Sequence, residues 1–118
     1  YTGRGAFRTW SAEMLADYVA DGFRERPDGE VELTCAPEWE ASNFRSHAHD
    51  TWAAFDAARA PIRLLRAQEG STTRDGPQLQ ALVAAGRIRM EVVPDTSHFL
   101  PMERPDVVQA ALREAVAQ

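Results

Sequence analysis

Apolar positions along the chain change texture near Ala60. Before it, Leu15, Tyr18, Val19 and Phe23 recur at helical spacings of three and four after Ser11, a good N-cap residue. That pattern predicts an amphipathic helix starting at Ser11 and running through Phe23. Arg26-Pro27-Asp28-Gly29 has the turn chemistry to end it. Val31 to Leu33 reads as a short extended piece. Pro37 suits the first turn of another helix, with Glu38 and Glu40 near its positive end and Trp39 and Phe44 on its buried side. Trp52 and Phe55 continue the helical spacing. Residues 1–60 are therefore expected to form a helical layer or lid.

Beyond Ala60 the pattern alternates. Ile62-Arg63-Leu64-Leu65-Arg66-Ala67 is short, apolar and bounded by Pro61 and Gly70, which predicts a strand. Residues 78–85 read as a helix around Leu79, Leu82 and Val83, closed by Gly86. Ile88-Arg89-Met90-Glu91-Val92-Val93 is a second strand, stopped by Pro94. Pro105 opens a last helix with a stripe of Val108, Leu112 and Val116. Strand, helix, strand, helix with short links predicts a parallel pair joined by a right-handed crossover. The fold class expected for residues 61–118 is α/β.

Charge narrows the function classes. The net charge is −5, and although all 13 basic residues are arginine, the densest pair, Arg24 and Arg26, is flanked by Asp21, Glu25 and Asp28. A nucleic-acid footprint needs clustered positive charge, so that class is set aside. No run approaches the 18 or so apolar residues of a transmembrane helix. A single cysteine, Cys35, excludes an internal disulfide framework and favours a reducing, cytoplasmic setting; it reads as a small buried residue. The start at Tyr1 lacks an initiator methionine and any signal core, so the chain is expected to be part of something longer.

Ligands of open α/β sheets meet the loops at the carboxyl ends of the strands. The two such loops here are 68–76 and 94–104. The second carries Asp95-Thr96-Ser97-His98-Phe99-Leu100-Pro101. A loop histidine held between prolines suits a general base, provided a carboxylate orients its other nitrogen. The alternative is a histidine that caps a nearby backbone group. His47-Ala48-His49-Asp50 invites a metal reading, but alternate residues of a helix point to different sides and nothing elsewhere completes a site. Gly70-Ser71-Thr72-Thr73 lacks the lysine of a phosphate loop. Trp10, Trp39, Trp52, Phe44 and Phe55 fit either a pocket lining or plain core.

The segment from Val92 through His98 to Glu103-Arg104-Pro105 resembles the C-terminal signature of the α/β-hydrolase fold family. In that family the last strand leads to the catalytic histidine, and a Pro-led helix follows a Glu-x-Pro step. Pro61-Ile62-Arg63-Leu64-Leu65-Arg66-Ala67 is similar to the preceding strand. Asp28-Gly29-Glu30-Val31-Glu32-Leu33 and Cys35-Ala36-Pro37-Glu38-Trp39-Glu40-Ala41 resemble the end of its helical cap. The resemblance implies a cap remnant, then a β-α-β-α unit belonging to a larger sheet, about the last two fifths of such a domain. It implies that His98 takes the proton of a serine or aspartate nucleophile in a Ser-His-acid hydrolase.

Two features depart from the family. None of the five serines stands in a Gly-x-Ser-x-Gly elbow, so the nucleophile and oxyanion hole are expected upstream of this chain. Gly70 occupies the usual acid position, with Glu69 beside it. The acid is then Glu69 through a local shift, or comes from an earlier strand before Tyr1; Asp75 is a weaker candidate, and Glu69 also reads as a solvated turn residue. The implied reaction is hydrolysis of an ester-like or related apolar small molecule, with no cofactor because water is the second substrate. The edge of the Ile62–Ala67 strand is expected to be covered by an N-terminal portion, another copy or partner strands. The rival reading is a non-enzymatic α/β interaction module.

Overall fold

The computed structural model describes residues 3–46 and 49–117. It divides into two units, Tyr1–Thr51 and Trp52–Gln118, a boundary that falls ahead of the change in texture near Ala60.

In the first unit a 3₁₀ turn at Gly5–Thr9 leads into α1 (Ala12–Gly22). The Ser11 hydroxyl accepts the Met14 N–H at 3.1 Å, satisfying one of the amides that a first helical turn leaves free. Tyr18 packs edge-on against Trp10 at 5.4 Å and against Phe23 at 6.2 Å, with Phe7 at 5.3 Å. The helix does not include Phe23, as its apolar spacing had suggested. Phe23–Glu25 is a strand, β1, paired antiparallel with β2 (Val31–Leu33) so that Phe23 faces Leu33 and Arg24 faces Glu32. The pairing wins over the helical period because Pro27-Asp28-Gly29 makes a hairpin turn. Arg26 N–H donates to the Glu30 carbonyl at 2.8 Å, and Gly29 takes the positive φ of 82° that this turn demands. An Arg24–Glu32 ion pair at 2.7 Å closes the ladder.

The next helix, α2 (Pro37–Arg45), starts at Pro37 as expected. Its supposed buried side is not buried: Trp39 is 71% exposed and Phe44 66%. Among the described residues no layer covers that face, and only Ala41 on this helix is even half-buried. Cys35 is also exposed, because it sits in the connection between β2 and α2 rather than under either.

The second unit is the α/β part. α3 (Thr51–Ala57) begins at the boundary, and Trp52 and Phe55 are half-buried with their rings 6.0 Å apart. Arg87 donates to the Ala58, Asp56 and Phe55 carbonyls at 2.8, 3.2 and 3.5 Å, which serves the carbonyls at the end of α3. The strands β3 (Ile62–Ala67) and β4 (Ile88–Val93) pair in parallel from Ile62 opposite Ile88 to Ala67 opposite Val93. Among the described residues they form a two-stranded sheet. The crossover carries α4 (Pro77–Ala84), whose Leu79 is fully buried. Gly86 closes it at a φ of 68°, where a side chain would be strained.

Beyond β4, the segment expected as loop contains a single helical turn, α5 (Leu100–Glu103), started by Pro101 and anchored by the buried Leu100. The last helix is α6 (Pro105–Val116). Its stripe is only partly used. Val108 packs on the core, while Leu112 is 61% and Val116 88% exposed; the last turn of the helix meets β3 through an ion pair of Glu114 with Arg63 rather than through that stripe. That core joins Ala67, Val93 and Leu100, with Leu65, Val107 and Val108 against it. It lies at the carboxyl ends of both strands, directly under the loops that carry the candidate chemistry.

Candidate functional site

A parallel pair places the ends of β3 and β4 side by side, and the register puts Ala67 opposite Val93. The two following loops are hydrogen-bonded together. Gln68 N–H donates to Thr96 Oγ1 at 3.4 Å, Glu69 N–H donates to the Thr96 carbonyl at 3.0 Å, and Asp95 N–H donates to Gln68 Oε1 at 3.1 Å. Thr96 is the centre of this zipper. It is 3% exposed, and its hydroxyl donates to the Val93 carbonyl at 2.6 Å. Asp95 adopts a φ of 56°, a left-handed conformation that aspartate tolerates better than most residues. Beyond Asp95, the Thr96 carbonyl and the His98 amide lie against Glu69 and Gly70 of the loop after β3.

His98 follows, exposed, with its ring edge-on to Phe99 at 5.2 Å. Among the described residues no hydrogen bond or ion pair reaches its imidazole. The residues around it are held firmly. Glu103 Oε2 accepts the Ser97 N–H at 2.6 Å, and Oε1 accepts the Ser97 hydroxyl at 2.8 Å. Ser97 Oγ in turn accepts the Phe99 N–H at 3.3 Å, and the Ser97 carbonyl accepts the Leu100 N–H at 3.0 Å. At the start of α6, Arg104 grips Asp106 through two bonds of 2.9 and 2.7 Å. The hydrogen bond from Arg104 holds the Asp106 carboxyl below its ordinary pKa.

A cavity of about 240 Å³ opens beside His98, lined by it and by Leu65, Ser71, Thr73, Leu100 and Val108 among others. An imidazole presented to such a space from a braced loop is able to accept a proton from a reacting group and return it.

The other expected residues fall as follows. Glu69 lies in the turn beside His98 but is exposed, and no bond joins its carboxylate to the imidazole. Gly70, at a φ of 59°, is closer: a Cβ built there stands 3.8 Å from the His98 amide nitrogen. Asp75 accepts a hydrogen bond from Gln80 on α4 and makes no bond to His98. His47 of the His47-Ala48-His49-Asp50 segment lies outside the described residues, and no group of three or more metal-ligating side chains gathers among the described ones. Sequence reasoning did not single out Thr96, Gln68 or Glu103 for a role. Only Glu103 had left a signal, as the first residue of the Glu-x-Pro step.

Among solved structures, the chain is similar to the crystal structure of E-2-(acetamidomethylene)succinate hydrolase, with a TM-score of 0.77 and 14% sequence identity. The match covers 95% of this chain and 41% of that one, so the chain spans about two fifths of the length of the hydrolase it resembles. No protein-family model matches the sequence. No curated protein matches it either. The likeness establishes the fold: this chain adopts part of the α/β-hydrolase fold, with a parallel β3–β4 pair and flanking helices.

Proposed function

We propose that this chain is the C-terminal part of an α/β-hydrolase that cleaves ester-like or related apolar small molecules, with His98 as general base. His98 takes the proton of a serine nucleophile that lies outside these 118 residues, then returns it to the leaving group. The observation that supports this best is the placement of His98. It stands at the carboxyl end of the second parallel strand, on a loop tied to the loop after the first, facing a cavity. Glu69 is the acid candidate within the chain, on the turn whose amide bonds the Thr96 carbonyl two residues before His98; the alternative acid comes from an earlier strand. No cofactor takes part, water being the second substrate. The same reading covers the edge of β3 that is unpaired among the described residues with a strand from the rest of the hydrolase, and puts the protein in the cytoplasm, where the exposed Cys35 thiol stays reduced.

The isolated imidazole favours one rival, a binding module in which His98 is a contact residue. Hydrolysis of small activated esters by the full-length protein separates the two. His98→Ala is expected to lower kcat by about 10²–10⁴-fold. Equal rates for the two proteins remove His98 from catalysis, and a full-length protein that hydrolyses no ester and carries no nucleophile leaves the binding module. Glu69→Gln, run alongside, lowers kcat only if the acid is Glu69.

A further inference from the structure

We propose that Glu103 is a positioning residue for His98, acting through Ser97 rather than on the ring. The inference rests on the reading of His98 as the base. One carboxylate makes two short bonds to one residue: Oε2 takes the Ser97 N–H at 2.6 Å and Oε1 the Ser97 hydroxyl at 2.8 Å. Charge-assisted, bidentate contacts of this kind fix orientation as well as distance. The Ser97 oxygen passes the constraint on by accepting the Phe99 N–H at 3.3 Å. The residues on both sides of His98 are therefore tied to the same carboxylate.

Glu103 is itself held. It is the last residue of α5, its N–H donates to the Phe99 carbonyl at 3.1 Å, and Leu100 at the start of that turn is buried in the core. The chain of support runs from the core through Leu100 and Glu103 to Ser97, and so to His98. Among the described residues no hydrogen bond or ion pair holds the imidazole, whose one ring contact is to Phe99, itself tied to Ser97, so the ring is positioned by this backbone clamp and by Thr96 on the other side.

The test compares Glu103→Ala with Glu103→Gln in the full-length protein. Glutamine keeps both bonds by reversing one: its oxygen accepts the Ser97 N–H and its amide donates to the Ser97 oxygen. Three readouts are followed: kcat and KM for a small ester, the ¹⁵N signals of His98 assigned by their loss in His98→Ala, and amide exchange over residues 95–103. Glu103→Ala is expected to lower kcat by about 10²-fold at nearly constant KM, the effect of misplacing a reacting group by about 1 Å. It also broadens the His98 signals and speeds exchange at Ser97 and Phe99. Glu103→Gln restores all three to near the unmodified protein. Unchanged kcat and sharp His98 signals in Glu103→Ala overturn the proposal, as does a Glu103→Gln protein that folds yet is as impaired as Glu103→Ala. If hydrolysis survives His98→Ala undiminished, the reading of His98 as the base falls by itself, and the clamp is judged on the His98 signals and the exchange rates alone.

Discussion

Thr96 shows how much of the candidate site depends on one small side chain. Its hydroxyl is buried, donates to the Val93 carbonyl and accepts from the Gln68 amide, so it joins the two loops and the end of β4. Thr96→Val keeps the shape but removes both bonds and strands a buried carbonyl, which costs about 1–3 kcal/mol. Denaturant unfolding of the full-length protein is expected to show a midpoint lowered accordingly, with Thr96→Ser far closer to the unmodified protein. An unchanged Thr96→Val midpoint contradicts the zipper. The placement of His98 in the loop beyond β4 was legible in the sequence, because Pro94 ends the strand ahead of it. Thr96, Gln68 and Glu103 were not, since their partners are set by the parallel register of β3 and β4 and by the single turn of α5, neither of which any residue announces.

Helices and strands were legible where sequence punctuation and burial agreed. Ser11, Pro37, Pro105 and Gly86 mark ends that the structure also uses. The misreadings came where the apolar period continued past a competing turn or faced no partner. Phe23 fits the helical spacing of α1, yet the Pro27-Asp28-Gly29 hairpin claims it for β1. Trp39, Phe44, Leu112 and Val116 have helical spacing too, but an apolar stripe says what is able to be buried, not what covers it.

The start of α6 supplies a pH test at this scale. Arg104 holds the Asp106 carboxyl below its ordinary pKa, chiefly through their side-chain hydrogen bond. The pair therefore stabilises the fold above the unfolded carboxyl's titration near pH 4, and that contribution is lost as pH falls through the lower folded value. Both partners are exposed, so the effect is small. The stability gap between the unmodified protein and Asp106→Asn is expected to shrink between pH 6 and pH 2. A gap that stays constant or widens on acidification contradicts the pairing.

At the scale of the whole molecule, the α/β half was legible because strand-helix-strand-helix alternation has few solutions, and 14% identity to a hydrolase of the same fold shows how little else of the sequence that fold requires. The edge of β3 away from β4, which is unpaired among the described residues and carries the apolar Ile62, Leu64 and Leu65, belongs to a larger sheet in this account. The 118-residue chain by itself is then expected to self-associate or to unfold at low denaturant in sedimentation and unfolding measurements; a stable, monodisperse monomer argues against the larger sheet. The most direct test of the central claim, that His98 activates a nucleophile supplied from outside these residues, is labelling of the full-length protein with a serine-directed fluorophosphonate, mapped by peptide mass spectrometry. The account predicts one labelled serine outside the 118 residues and labelling slowed by about 10²-fold or more in His98→Ala. Labelling at the same rate in His98→Ala, or of a serine within this chain, contradicts it.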